Sequence, residues 1–249
     1  MSLLEVNGLV KRFRGLMALS NLSFSVEQGE IAGIIGPNGA GKTTAFNCIT
    51  GFTTLDSGSV KLSDTSLTGK KPYEIVNHGL SRTWQLVRPF FGMRVIEALY
   101  VPSYCRRSRT APGGSEDVES RIARAAESLG LADRLDDWVD NLNQGELRLL
   151  DIARALVTNP LIVLLDEPFS GLSHREIARI SATVKALNRD GLTVVIIEHR
   201  LRELMKLVQK VVVVNFGQKI AQGTPGEVVK EPQVIEAYLG RKGVDLGLA

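Results

Sequence analysis

Residues 36–43 read Gly36-Pro37-Asn38-Gly39-Ala40-Gly41-Lys42-Thr43, the spacing G-x-x-x-x-G-K-[ST]. Glycines at these places let successive backbone N–H groups turn inward around phosphate oxygens, at a helix N-terminus whose dipole favours negative charge. Lys42 then reaches the β- and γ-phosphates, and the Thr43 hydroxyl is a ligand for Mg²⁺. A second element, Leu161-Ile162-Val163-Leu164-Leu165-Asp166-Glu167, is an apolar run ending in two carboxylates. Such a run places charge at the carboxyl edge of a parallel sheet, where ligands bind. Asp166 there suits a Mg²⁺ shell, and Glu167 suits polarising a water. By itself the second element also reads as a strand-end turn before Pro168. Beside the first, it reads as the other half of a nucleotide-phosphate site.

These groups need a framework. Residues 31–35 are a buried-strand candidate and residues 42–49 have helix character, so the glycine-bearing loop lies between strand and helix. Leu22, Phe24 and Val26 alternate before Glu27-Gln28-Gly29-Glu30, which predicts short strands and one half-exposed sheet in the first sixty residues. Further buried strands are predicted at 161–165, 193–197 and 211–215, separated by helices near 175–188 and 201–207. Strands alternating with helices indicate a largely parallel sheet.

Between about Pro89 and Pro160 the apolar residues recur at helical spacing, as Val118, Ile122, Ala126, Leu129 and again as Leu149, Ile152, Ala153, Leu156. A mostly helical insert follows. Arg106, Arg107 and Arg109 before Pro112-Gly113-Gly114-Ser115 read as a charged, solvated helix end and a flexible turn. Prolines 225 and 232 each open a short helical signal in the tail.

A chain of 249 residues, 44% apolar and 23% charged, suits one large α/β domain with an inserted subdomain and excludes disordered and fibrous classes. The balance of 30 basic and 27 acidic residues leaves +3, scattered along the chain, so no nucleic-acid footprint is expected. Apolar stretches of about five residues fall far short of the ~20 that span a bilayer. The start, MSLLEVNGLVKRF, lacks a signal-peptide core, which points to the cytoplasm. Cys48 and Cys105 have no metal-ligand spacing and read as buried or inert thiols.

Taken in order, these elements resemble the ATP-binding subunits of ATP-binding-cassette (ABC) transporters, from about Leu4 to Leu239. The resemblance implies an α/β fold, a P-loop ABC-type ATPase core with an antiparallel β subdomain and an inserted helical subdomain. It places a single domain at 1–240, with core at 1–88 and 160–224, helical subdomain at about 89–159, helical extension at 225–240, and a tail at 241–249.

ATP and Mg²⁺ are the implied ligands. Asn38, Gly39, Ala40, Gly41, Lys42, Thr43 and Thr44 would surround the phosphates, Phe13 would stack on adenine, and Ala18 is the small residue beside it. Thr43, Gln85 and Asp166 would serve the metal; Glu167, His199, Lys42 and Gln85 would serve the reaction. Each of Phe13, Gln85 and His199 is ordinary as a lone residue: a core aromatic, a surface amide, a single histidine. Their order relative to Gly36 is what assigns them.

Leu142-Asn143-Gln144-Gly145-Glu146 aligns with the family signature Leu-Ser-Gly-Gly-Gln, with Asn143, Gly145 and Glu146 as expected contacts to a nucleotide held by a second cassette. Asn143 keeps a donor, whereas Glu146 brings a charge that repels phosphate. Ser173 stands where the family commonly has aspartate.

Phe13-Arg14-Gly15-Leu16, Arg82-Thr83-Trp84-Gln85, and Gly223-Thr224-Pro225 with Val234 to Gly240 resemble the branched-chain amino-acid (LivG-type) subgroup. That resemblance implies transmembrane permease subunits, a second ABC ATPase in a homo- or heterodimer, and indirectly a substrate-binding protein. It implies a peripheral place on the cytoplasmic face of the membrane. Lipopolysaccharide-export and urea or amide transporters share much of the pattern. Non-transport ABC ATPases and a regulatory nucleotide-binding subunit are the other classes left open. A GTPase is disfavoured by the absence of Asn-Lys-x-Asp. Residues 88–97, following Gln85, are the expected docking surface for the permease.

Overall fold

The structure, a computed structural model, describes residues 2–110 and 117–239. In chain order its elements are β1 (Ser2–Phe13), β2 (Leu16–Glu27), β3 (Ile31–Ile35), α1 (Lys42–Ile49), β4 (Ser57–Leu62), β5 (Thr65–Ser66), α2 (Pro72–His78), β6 (Leu80–Arg82), α3 (Val95–Ser103), α4 (Arg106–Thr110), α5 (Val118–Ser128), α6 (Gln144–Val157), β7 (Ile162–Asp166), α7 (His174–Arg189), β8 (Thr193–Ile197), α8 (Leu201–Met205), β9 (Lys210–Asn215), β10 (Gln218–Gly223), α9 (Pro225–Val228) and α10 (Pro232–Leu239). They form two compact units. One is built from the segments up to Pro72 and from Thr193 onward, the other from Tyr73–Leu192.

In the first unit an antiparallel sheet runs β2-β1-β4-β5. Its first two strands are twelve residues each, longer than the short strands the alternation predicts. Register shifts along β1, at Val6/Leu9 and Leu9/Lys11, let the ribbon twist and continue past the point where alternation breaks down. The two strands meet at Arg14 (φ 44°) and Gly15 (φ 91°). Two consecutive left-handed residues make the tight hairpin turn whose twist matches that of the strands.

The same unit contains the glycine loop's framework. β3 pairs in parallel with both β8 and β9, and β10 runs antiparallel along β9. Every residue of β3 and β8 is buried, as are Val211 to Val214 of β9, which is how strands covered on both faces read as unbroken apolar runs. β10 escapes sequence reading because an edge strand with the sequence QKIAQG carries almost no apolar signal. The proline-initiated helices α9 and α10 are present, and Thr224 with Glu227 forms a capping box at the first. Val234 and Tyr238, four residues apart on α10, are both buried.

In the second unit, β6 lies parallel to β7, Arg82 opposite Leu164. At three residues, β6 is too short to show a period. The helical spacing around Val118 and Leu149 corresponds to α5 and α6. One expectation is corrected here: Arg106 and Arg109 are exposed, but Arg107 is half-buried and its Nε donates to Asn159 O at 2.6 Å. Neighbouring Ser108 is buried and donates to Val157 O. The arginine cluster is therefore partly a packing element. The turn expected at Pro112 to Ser115, and the tail from residue 240, lie outside the described residues.

Candidate functional site

Of the three glycines in residues 36–41, Gly36 and Gly41 are required by space as well as by conformation, and Gly39 (φ 78°) by conformation alone. A Cβ on Gly36 would lie 1.9 Å from Val214 O, and one on Gly41 (φ 102°) would lie 2.5 Å from Ala18 O. The carbonyl of the half-buried Ala18 thus lies close against the loop at Gly41. Gly41 is also the N-cap of α1 and offers it no side-chain cap, so the helix presents its positive end to the loop. Lys42 is only 5% exposed, its Nζ folded onto the loop carbonyls of Gly36 (2.8 Å) and Pro37 (2.9 Å). Asn38, Gly39 and Thr43 are exposed and Thr44 is half-buried.

Phe13, at the hairpin tip, is 45% exposed, with Lys11 Nζ 5.4 Å from its ring centroid. An aromatic face left open at a strand end is available for stacking. His199 follows β8 and is exposed. The backbone beneath it is held by a residue to which the sequence assigned no role: Glu198, 2% exposed, accepts from the N–H groups of His199 (2.7 Å) and Arg200 (3.0 Å). Beside the loop, a cavity of about 480 Å³ is lined by Asn38, Gly39 and Phe216 and by Gln233, Glu236 and Ala237 of α10.

In the second unit, the two carboxylates at the end of β7 sit in different environments. Asp166 is 1% exposed; its Oδ2 accepts from Arg82 Nη2 at 2.6 Å, and its N–H donates to Thr83 Oγ1. Burial raises its carboxyl above the ordinary range, and Arg82 opposes that shift. Its Oδ1 is buried with no hydrogen-bond partner among the described residues. An unsatisfied buried carboxylate oxygen is costly, of order 1–3 kcal/mol or more, and is a ready position for a hard cation. The donor set therefore fits Mg²⁺, which commonly takes one or two carboxylates plus substrate phosphates.

Glu167 is half-buried with φ 48°, a left-handed conformation rare outside glycine, asparagine and aspartate. Its Oε2 accepts from Gln85 Nε2 at 3.0 Å. Strain of roughly 1–3 kcal/mol of this kind persists where surrounding structure holds it.

The segment bearing Gln85 is gripped by α6. Arg148, 3% exposed, donates to Trp84 O (2.6 Å) and Gln85 O (2.9 Å), while Asp151, 5% exposed, accepts from Trp84 N (3.1 Å). Burial raises the Asp151 carboxyl, against the pull of the Trp84 N–H and of Arg154 and Arg148. Neither Arg148 nor Asp151 stood out in the sequence. A charged residue on a helix reads as solvent-facing unless its tertiary neighbours are known.

The N-terminus of α6 carries the altered signature. Asn143 is its N-cap: Oδ1 accepts from Glu146 N, and Glu146 Oε2 accepts from Asn143 N. Glu146 Oε1 also takes a bond from Arg134 at 3.0 Å. The charge expected to repel phosphate is therefore tied into a capping box and balanced by a guanidinium. A Cβ on Gly145 would approach Glu176 Oε1 to 2.3 Å, so a larger residue there would have to displace that carboxylate. Ser173 caps α7 in a second box with Glu176, a role that serine and aspartate share.

Residues 19–170 match the family model for the ABC transporter, and residues 218–243 match that for the branched-chain amino acid ATP-binding cassette transporter. The chain is 39% identical to the high-affinity branched-chain amino acid transport ATP-binding protein LivG of Escherichia coli (strain K12), over 96% of this chain and 98% of LivG. It is 35% identical to the corresponding BraF of Pseudomonas aeruginosa over the same shares. Among solved structures, a nucleotide-free ATP-binding cassette from an ABC transporter superposes with TM-score 0.86 at 32% identity, covering 96% of this chain and 99% of the other. The ADP conformation of such a cassette gives 0.86 at 33% identity, covering 97% and 100%. The mixed α/β fold with one antiparallel sheet, the phosphate loop and these matches agree, and the chain belongs to the ABC transporter family as one of its ATP-binding, ATP-hydrolysing subunits.

Proposed function

We propose that this ATPase drives import of branched-chain or related amino acids through partner permeases, working at the cytoplasmic face of the membrane. The names of LivG and BraF and the match at residues 218–243 support that cargo. Among the described residues no helix is long and apolar enough to cross a membrane. Passage of the substrate therefore falls to transmembrane partners, with a binding protein supplying it. Division into a core, a helical subdomain at about 89–159 and a helical extension at 225–240 belongs to the same proposal. So does docking of the permease near residues 88–97.

In the proposed mechanism two cassettes close on ATP, the loop at residues 36–44 of one and Asn143, Gly145 and Glu146 of the other touching the same nucleotide. Phe13 stacks on adenine beside Ala18. Lys42 leaves its carbonyl partners for the β- and γ-phosphate oxygens. Thr43, Asp166 and Gln85 would hold Mg²⁺, which neutralises phosphate charge when bound. Glu167 polarises a water whose oxygen bonds to the γ-phosphorus as the bond to the ADP oxygen breaks, and His199 steadies the transferred phosphoryl group. Closure favoured by ATP and reversed by hydrolysis would then move the permeases between two access states.

The observation that carries the hydrolytic assignment is the strained Glu167, held by Gln85 beside the buried Asp166. The test is Mg-ATPase activity of the purified chain across protein concentration, with Glu167→Gln as control. Activity rising faster than linearly, and lost in the control, supports a self-competent dimer. Retained ATP binding with negligible turnover at every concentration calls for an obligate second ATPase or a regulatory role. Leucine uptake in vesicles carrying the cognate permeases tests the cargo; uptake of urea in its place would overturn it.

A further inference from the structure

Arg82 sits beside the metal-site carboxylate and has no part in the mechanism above. It ends β6, parallel to β7, and its side chain is 5% exposed. Its guanidinium lies 4.6 Å over the ring of Trp84, whose backbone is itself clamped on both sides by Arg148 and Asp151 of α6. The result is a cation whose position is set by packing, a parallel strand and a pinned aromatic ring.

That cation engages one oxygen of Asp166 and leaves the other. Oδ2 is taken by Arg82 at 2.6 Å, while Oδ1 is buried and unpartnered among the described residues. A pair serving stability alone would gain most by satisfying both oxygens, since a half-satisfied buried carboxylate retains the desolvation penalty of the open side. A pair serving a ligand needs the opposite, with one oxygen fixed as a pivot and the other presented. Outer-shell partners of this kind orient ligating carboxylates, and their loss commonly costs 10–100-fold in metal affinity.

We infer that Arg82 is a positioning residue that anchors Asp166 through Oδ2 so that Oδ1 is held ready for Mg²⁺, resting on the Mg²⁺ role proposed above for Asp166. A planar guanidinium stacked on an indole fixes this direction better than an ammonium on a flexible stem, so lysine substitutes only in part. The segment 82–85 then performs two tasks from one strand end: Arg82 sets the metal carboxylate and Gln85 sets its neighbour Glu167.

The experiment uses the full chain carrying Glu167→Gln, so that turnover does not intervene. Binding of a fluorescent ATP analogue is titrated in EDTA, then against Mg²⁺, for Arg82→Met, Arg82→Lys and Asp166→Asn, with thermal unfolding as the fold control. In EDTA, Arg82→Met is expected to bind the analogue within about threefold of its parent. Its Mg²⁺ half-saturation is expected to rise about tenfold, with Arg82→Lys in between and Asp166→Asn at least as impaired as Arg82→Met. A half-saturation in Arg82→Met equal to or below the parent's, while Asp166→Asn is impaired, overturns the anchor and leaves the metal assignment standing. Unchanged Mg²⁺ dependence in Asp166→Asn overturns both. Should Arg82→Met fail the unfolding control, Arg82→Gln, which keeps bulk and a donor, is judged on the same criterion.

Discussion

Gln85 Nε2 donates to Glu167 Oε2 across 3.0 Å, joining the end of the β6 segment to the residue after β7. That bond orients the Glu167 carboxylate, the group proposed to polarise a water. Glu167→Gln is therefore expected to bind ATP with near-parental affinity and to lose at least about 10²-fold in turnover, the usual range for removing a general base. Steady-state ATPase and equilibrium nucleotide binding on the same preparation decide it, and a normal rate would show that another group activates the water.

Gly41→Ala places a methyl 2.5 Å from Ala18 O at φ 102°. Conformational strain of about 1–3 kcal/mol is expected, together with a displaced loop and at least tenfold weaker ATP binding. Urea unfolding and nucleotide titration read the two effects separately. Parental behaviour in both would mean that the loop accommodates a methyl against the Ala18 carbonyl without cost.

Asn143→Ala removes the acceptor at the start of α6 and is expected to cost about 1 kcal/mol. Asn143→Ser keeps a cap and is expected to stay within about 0.5 kcal/mol of the parent. No loss for Asn143→Ala, in denaturant titration, would mean that the cap contributes nothing.

Glu198→Ala strips two backbone N–H groups of a charged acceptor. Hydrogen bonds to charged groups are worth about 1.5–3 kcal/mol, so a stability loss of at least about 2 kcal/mol is expected by urea unfolding. The ATPase rate should fall with it, because the His199 backbone loosens. A variant as stable as the parent would show that the strand end holds this turn unaided.

Burial pushes the Cys48 thiol from its ordinary 9.0 up to about 11, with Lys11 acting in the opposite direction. The folded-state value is raised, so its contribution to stability is full below the unfolded value and is lost as pH rises from about 9 towards 11. At pH 8 the native chain should take thiol reagent at the half-buried Cys105 and leave Cys48 unmodified. Stoichiometric labelling of both cysteines before unfolding would contradict the burial.

Much of this is legible in the sequence alone. Apolar runs marked β3, β7, β8 and β9 because strands buried on both faces have no polar positions to hide among. The phosphate loop was legible because its backbone demands glycine at fixed intervals. What stayed hidden was relational. Arg82, Arg148, Asp151 and Glu198 are charged residues whose burial follows from tertiary packing, and local pattern carries no trace of it. The Arg134 partner of Glu146 is hidden for the same reason, since it lies twelve residues away with no helical period linking them.

The cavity beside Gly39 has walls of two kinds. One wall is the nucleotide loop common to phosphate-binding ATPases in general; the other, from Gln233 to Ala237, falls inside the stretch that matches the branched-chain transporter model. A small molecule shaped to both walls would discriminate among ATPases by their C-terminal sequence while acting on the element they share. Selective inhibition of one ABC ATPase among many then becomes a question of filling about 480 Å³ of space.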